Sequence, residues 1–294
     1  MGRRGGRRFA INVSSMPHTS LLTLYLAAGA LLAGLLGSLT GLGGGVVIVP
    51  LLTLGFGVDI RYAIGASLVS VIATSSGAAA AYLREGYSNI RVGMFLEVAT
   101  TIGALSGAYI ASRIPTSAIA VIFGVVLLYS AYSSLKSDVE VSPDAPPDAI
   151  ATRLRLDGSY PVDGEHRAYH VRHVPFGFSL MYLAGVLSGL LGIGSGAVKV
   201  LAMDQAMRIP FKVSTTTSNF MIGVTAAASA GIYFHRGYVD PALSMPVMLG
   251  VLAGALIGAR ILPNAKVRTL RLVFSVVIGA LAVEMMVKGL GGHF

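Results

Sequence analysis

Two glycine-rich segments of the chain are the strongest candidates for a ligand-binding site. The first is Ser38 to Pro50, "SLTGLGGGVVIVP", and the second is Ser188 to Val200, "SGLLGIGSGAVKV". Each follows an apolar run and leads into a short apolar stretch, and only the second contains a lysine, Lys199. Glycines permit a tight break in a helix, and the free N–H groups at the start of the next helix favour anions. The pattern therefore predicts two places where a small anion approaches the backbone.

The other candidate ligands begin the long apolar runs that follow these two segments. Ser67 begins "SLVSVIATSS", and "STTTSN" ends at Asn219. Their hydroxyl and amide groups can donate to an oxyanion, although a serine or threonine in a membrane helix often bonds to its own backbone instead. The predicted substrate-binding residues are Gly43, Gly44, Gly45, Ser67, Gly194, Ser195, Gly196, Lys199, Thr216, Ser218 and Asn219.

Charged residues inside apolar runs are functional candidates. Lys199 either binds the anion, extends to the membrane interface, or pairs with Asp204. Glu97 is a candidate for a proton-carrying or gating role. The glycines have an alternative role in close helix packing, which we expect for Gly103 to Gly107 and for Gly254 to Gly258.

The composition indicates an integral membrane protein. Of the 294 residues, 54% are hydrophobic and 12% are charged, and the mean hydropathy is +0.74. An ordinary globular domain has about a quarter charged residues. Runs such as Ala63 to Leu83 and Val213 to Phe234 have no charged side chain and reach the roughly 20 residues that a spanning helix needs. We expect an all-α polytopic protein with about eight spans and two short re-entrant or half-length helices.

An internal repeat organises the chain. An offset of 151 residues pairs Gly41 with Gly192 and Ser67 with Ser218, and it aligns "GALSGAYI" with "GALIGARI". The polar segment between the halves alternates apolar and polar residues around "DGSYPVDGEH", which predicts a small β-hairpin. We expect four segments: a basic cytoplasmic tail (1–18), a first membrane repeat (19–135), a polar insert (136–175) and a second membrane repeat (176–290).

The number of crossings decides how the two repeats are related. With four crossings in each half the repeats run parallel, and with five they are inverted. Counting loop cations under the positive-inside rule favours four, because the tail and the insert then share the cytoplasmic face. We therefore expect the N-terminus and the insert in the cytoplasm.

The expected partners are a small anion and the lipid bilayer. The formal net charge of +9 does not require nucleic acid, because Arg3, Arg4, Arg7 and Arg8 lie just ahead of the first span, where cytoplasmic basic flanks are usual. We expect no cofactor, no metal site and no enzymatic activity, since the chain has no cysteine and the predicted spans contain no histidine. The sequence leaves the oligomeric state open.

The residues resemble the TauE/SafE sulfite exporters. The similarity rests on the glycine motif at Gly41 to Gly45 followed by "VVIVPLL", on Ala63, Gly65 and Ser67, on the duplicated halves, and on the central "LDGSYPVDGEHRAYHV". It implies an inner-membrane exporter of sulfite, sulfoacetate or a related sulfonate, with the glycine segments near the translocation site. Ser195 departs from the pattern, because it stands where the family has a glycine.

Export has a physical rationale of its own. An anion that leaves a cell with a negative interior gains roughly 2.3 kcal/mol per charge per 100 mV, so no coupling ion is required. Two alternatives remain at this stage. One is a transporter of another small anion, and the other is a membrane scaffold that transports nothing.

Overall fold

The computed structural model describes residues 19–40, 44–84, 88–135, 148–162, 165–261 and 267–292. Eleven helices and one hairpin make up this part of the chain. The short helices α2 and α8 each continue as a π-helical turn, Leu51–Gly55 and Ala202–Ala206. The helices are α1 (Thr19–Thr40), α2 (Gly45–Pro50), α3 (Ile60–Arg84), α4 (Ile90–Ala111), α5 (Thr116–Leu135), α6 (Ala149–Arg153), α7 (Val174–Leu191), α8 (Gly196–Leu201), α9 (Phe211–His235), α10 (Pro241–Ile261) and α11 (Val267–Leu290).

The helices have the dimensions and surface of a membrane bundle. Among the described residues, three apolar stretches are long enough to cross a bilayer: Ile90–Ala111, Val174–Leu191 and Pro241–Gly258. Large apolar side chains face outwards on these helices, for example Leu183 and Leu249, which are 55% and 56% exposed. Such a surface suits lipid, whereas water would penalise it. The prediction of an all-α, multi-pass membrane protein is thus confirmed at this level.

Glycines allow two pairs of helices to pack backbone against backbone. A Cβ atom at Gly103 of α4 would lie 2.2 Å from the Tyr182 carbonyl oxygen of α7, and one at Gly107 would lie 2.0 Å from that of Val186. Gly254 makes an equivalent approach from α10 to α1. The close packing predicted for these three glycines is confirmed, because any larger side chain would collide with the neighbouring backbone.

The direction of the helices follows from the order of these contacts. Later residues of α4 meet later residues of α7, so the two helices run parallel. Helix α9 also runs parallel to α4, since Gly93 lies beside Thr217 and Glu97 contacts Thr225 further along both. Helices α7 and α9 therefore point the same way. The short segment between them must return the chain across the bundle.

Helices α3 and α9, which are related by the offset of 151 residues, point in opposite directions. The bounds of α2 and α3 recur, at the offset of 151 residues, as those of α8 and α9. In the pair α3 and α9, Gly65 approaches Tyr238 just beyond α9, whereas Ser75 approaches Gly223 in the middle of α9. The pair is therefore antiparallel. This geometry disagrees with the expected parallel repeats, because parallel repeats would place equivalent helices in the same direction.

The polar insert contains the predicted hairpin. Strands β1 (Gly158–Val162) and β2 (Glu165–Tyr169) pair antiparallel, with Val162 opposite Glu165. The strands are shorter than the alternating pattern suggested, because Thr152 and Arg153 end α6 instead of extending β1. The hairpin itself is confirmed.

Asn89, at the start of α4, anchors this insert. Its Nδ2 atom donates to the Leu156 carbonyl at 2.9 Å and to the Tyr169 hydroxyl at 2.7 Å, and its Oδ1 atom caps α4 by accepting from Val92 N. Burial raises the pKa of the Tyr169 phenol to about 12, so the hydroxyl stays protonated at neutral pH. The insert therefore lies at the end of the bundle where α3 ends and α4 begins.

Candidate functional site

The two glycine segments meet in the centre of the bundle. Ser67 Oγ, fully buried on α3, donates to the Gly192 carbonyl at 2.8 Å and lies 3.5 Å from that of Gly45. In the second half, Ser218 Oγ donates to the Gly196 carbonyl at 3.3 Å. A Cβ atom at position 45 would lie 3.2 Å from the Gly192 oxygen. The fold thus brings Gly45 and Ser67 of the first half against Gly192 of the second.

The second break has an unusual backbone. Gly192 and Gly194 both have φ = +68°, and Ser195, the residue before α8, has φ = +45°. A left-handed serine is strained by roughly 1 kcal/mol or more, and such strain is concentrated at functional sites. Its Oγ atom is also buried and has no hydrogen-bond partner among the described residues. Ser195 is therefore a buried donor that no group among the described residues uses.

Lys199 lies in the interior of the protein. Its side chain is fully buried, and Nζ donates to Thr225 Oγ1 of α9 at 2.5 Å. The alternative in which this lysine extends to the membrane interface is therefore wrong. Asp204, the other proposed partner, lies in the π-helical turn that follows α8. A buried ammonium group requires compensation, because desolvation of a charge costs several kcal/mol.

Glu97 compensates this charge through a hydroxyl bridge. Thr225 Oγ1 lies 2.7 Å from Glu97 Oε1, and Thr101 Oγ1 donates to the same oxygen at 3.2 Å. Glu97 is 8% exposed, and its Oε2 atom is buried without a hydrogen-bond partner in the described structure. The bridge joins both halves of the chain, since Glu97 belongs to α4, Lys199 to α8 and Thr225 to α9. We call Lys199, Thr225 and Glu97 the polar bridge.

Other predicted ligands occupy structural positions. Thr216 Oγ1 lies 3.0 Å from the Lys212 carbonyl and 3.1 Å from that of Val213, so it bonds to its own helix, as the alternative interpretation held. Gly44 packs against Val251, and Asn219 is half-buried. Gly43 lies outside the described residues.

Sequence reasoning missed two members of the site. Thr225 bridges the two charges, and Thr101 supports Glu97. Helical spacing could have found both. Thr225 lies two turns after Ser218 on the same face of α9, and Thr101 lies one turn after Glu97.

Comparison with known proteins gives a consistent picture. The family model described as "Sulfite exporter TauE/SafE" matches residues 26–285. The "Probable membrane transporter protein YunE" of Bacillus subtilis (strain 168) is 28% identical over 275 residues, which cover 91% of this chain and 98% of the relative. The "Probable membrane transporter protein MJ0441" of Methanocaldococcus jannaschii is 25% identical over 280 residues, which cover 90% and 96%. No solved structure matches the chain.

Proposed function

Because the chain belongs to the TauE/SafE family, and is therefore a membrane transporter and not an enzyme, we propose that it exports a small sulfur-containing anion. Sulfite, sulfoacetate and related sulfonates are the proposed substrates, and the inner membrane is the proposed location. The observation that carries the proposal is Lys199, a fully buried cation on α8 directly after the strained break at Ser195.

The chemistry of the second break suits an oxyanion. Lys199 supplies a full positive charge, and Ser195 supplies a buried hydroxyl that has no partner in the described part of the chain. A charge-assisted hydrogen bond to an anion contributes about 1.5–3 kcal/mol. The bound anion takes over part of the compensation that Glu97 gives to Lys199 through Thr225. Substrate and carboxylate thus share one buried cation.

The proposed path runs between the two halves, since residues of both meet there. Gly45 and Ser67 from the first half contact Gly192 from the second. Among the remaining predicted ligands, Gly194, Gly196 and Ser218 lie in or beside the second break. We assign these residues to the wall of the path, and we assign anion binding itself to Ser195 and Lys199.

The proposed architecture has inverted repeats. If α2 and α8 each return the chain across the bundle, each half makes five passes. The two ends of each half then lie on opposite faces of the membrane, and equivalent helices are antiparallel. The tail (1–18) and the insert (136–175) then lie on opposite faces of the membrane. This proposal replaces the eight-span arrangement, which placed both in the cytoplasm.

The architecture can be tested with single cysteines, because the chain contains none of its own. One cysteine is placed in the tail and, in a separate variant, another replaces the exposed Arg167 of the hairpin. In sealed, uniformly oriented cells or vesicles, a membrane-impermeant maleimide should label only one of the two variants. Labelling of both from the same side would contradict the inverted arrangement.

Transport is tested directly in proteoliposomes. Vesicles loaded with sulfite or a sulfonate should release it faster than vesicles without protein, and Lys199→Gln should slow the release. Release of an unrelated small anion alone would favour the alternative substrate class. Folded protein that releases no anion faster than empty vesicles would favour the scaffold alternative.

A further inference from the structure

We propose that the polar bridge takes up a proton when it binds the anion: Glu97 becomes protonated, and the Thr225 hydroxyl switches the acceptor of its single hydrogen. The inference rests on the proposed anion site at Lys199. It adds a second bound species, the proton, and assigns a role to Glu97 and Thr225 that anion binding alone does not require.

The geometry at Thr225 permits both protonation states. Its Oγ1 atom lies 2.7 Å from Glu97 Oε1 and 3.0 Å from the Met221 carbonyl oxygen, and it accepts from Lys199 Nζ at 2.5 Å. A hydroxyl has one hydrogen and two acceptor sites. When Glu97 is ionised, Thr225 donates to Oε1. When Glu97 carries a proton on Oε1, Glu97 donates to Thr225, and Thr225 donates to Met221.

Each arrangement satisfies the same atoms. In both, Lys199 keeps its hydrogen bond to Thr225 and remains an ammonium ion. The only covalent change is one O–H bond at Glu97, made with a proton that comes from the solvent. The switch therefore needs no reductant, oxidant or further group.

The charges around Glu97 favour this uptake. Lys199 faces it from α8, while α7 contains no acidic or basic residue and the basic side chains of α9, Lys212 and His235, lie at its two ends. Asp204 belongs to the turn beyond Lys199. With both groups ionised, the bridge is neutral. A monovalent anion at Lys199 would give the bridge one excess negative charge, and protonation of Glu97 restores the neutrality of the bridge.

Glu97 is also poorly equipped to remain an anion beside a second anion. Only its Oε1 atom receives hydrogen bonds, from Thr225 and Thr101, and its buried Oε2 atom receives none from the described residues. A carboxylate that is stabilised on both oxygens keeps its charge, whereas one with an unpaired oxygen is more readily protonated.

The test is calorimetric titration of the purified full-length protein with sulfite, in two buffers of different ionisation enthalpy. The difference between buffers gives the number of protons taken up. Sulfite itself titrates, but its contribution is the same for every variant. The wild type should take up about one proton per anion more than Glu97→Gln does. Relative to that variant, the affinity of the wild type for sulfite should fall about tenfold for each unit by which the pH rises.

Two valine variants provide a matched comparison. Thr225→Val removes the switching hydroxyl, and Thr74→Val makes the same change at the equivalent position of the first half, where the hydroxyl donates to its own helix. Proton uptake should drop in Thr225→Val and stay at the wild-type value in Thr74→Val. This pair keeps the test decisive if Glu97→Gln does not fold.

The outcomes separate the inference from the proposed function. If wild type and Glu97→Gln bind sulfite with equal proton uptake, or if Thr225→Val matches Thr74→Val, the proton inference is overturned and the anion site stands. If folded wild type binds no sulfite, both are overturned.

Discussion

The polar bridge, to which both halves of the chain contribute, has an uncharged counterpart at the positions related to it by the repeat. At the offset of 151 residues, its three positions correspond to Ile48, Thr74 and Met248. Ile48 is as fully buried as Lys199, and Thr74 Oγ1 lies 3.0 Å from the Ser70 carbonyl of its own helix. The repeat thus gives two sets of equivalent positions, and only the set that forms the polar bridge contains ionisable groups. Chemistry that needs charge is therefore expected at the polar bridge and not at its counterpart.

The backbones at the two breaks differ as well. Gly44, which precedes α2, has φ = −63°, whereas Ser195, which precedes α8, has φ = +45°. Glycine, which adopts left-handed geometry without strain, occupies the position where φ is negative. Serine, which is strained in that geometry, occupies the position where φ is positive. The two halves therefore have the same helix bounds at equivalent positions but different backbone conformations at the breaks.

Removal of the buried cation should have the largest effect, and that effect should be on anion binding. Lys199→Gln should weaken sulfite binding by about tenfold or more, because a charge-assisted hydrogen bond contributes about 1.5–3 kcal/mol. Lys199→Arg should rescue binding only in part, since the guanidinium is larger and planar. Ile48→Val is the matched control and should leave affinity unchanged. Wild-type affinity in Lys199→Gln, measured by calorimetry, would remove Lys199 from the site.

The strained break provides the next comparison. Gly194→Ala forces a left-handed alanine, and its Cβ would lie 2.8 Å from Ile222 Cγ2. We expect the free energy of unfolding to fall by about 1–3 kcal/mol and anion release to fall with it. Gly231→Ala is the control, because that helical glycine has open space around it. Thermal unfolding in detergent, with efflux measured in parallel, checks both. Equal stability of the two variants would show that the break tolerates a side chain.

Replacement of the serines that donate to the carbonyl groups at the second break should have a smaller effect on stability. Ser67 donates to Gly192 at 2.8 Å, and its equivalent, Ser218, donates to Gly196 at 3.3 Å. Ser67→Ala should therefore cost about 1 kcal/mol of stability, and Ser218→Ala should cost less. Unfolding of the two variants under identical conditions gives the difference. A larger loss of stability in Ser218→Ala than in Ser67→Ala would contradict this expectation.

The insert belongs to neither half, and a change there should have the smallest effect. Tyr169→Phe removes one acceptor of Asn89 Nδ2, which keeps its bond to the Leu156 carbonyl. We expect a loss of about 0.5–1 kcal/mol, equal at pH 6 and pH 9, because the Tyr169 pKa of about 12 keeps the phenol protonated at both. Stability measured at the two pH values tests this. An effect on sulfite affinity would instead connect the insert to the site.

Much of the fold could be predicted from local patterns. Apolar runs located the long helices, and the glycine segments located both breaks. The alternating residues around Gly158 located the hairpin. These features depend on residues close together in sequence, where periodicity and turn chemistry act.

Other features depend on contacts between distant residues. An offset of 151 residues aligns the copies but does not say whether they point the same way, and only contacts such as that of Ser75 with Gly223 decide this. Counting loop cations could not replace them, because the count depends on whether each short helix returns the chain. The bridge between Lys199 and Glu97 was hidden for the same reason, since Thr225 meets Glu97 across 128 residues.

The glycine contacts of α4 with α7 and of α1 with α10 have a mechanical consequence. Each pair joins a helix of the first half to a helix of the second, with backbones so close that one helix cannot shift without carrying the other. We therefore expect each pair to move as a unit, and we do not expect the two halves to move as separate bodies. If transport opens the centre to either side of the membrane, the α4–α7 and α1–α10 pairs should slide or tilt against α3 and α9 while the packing within each pair is kept.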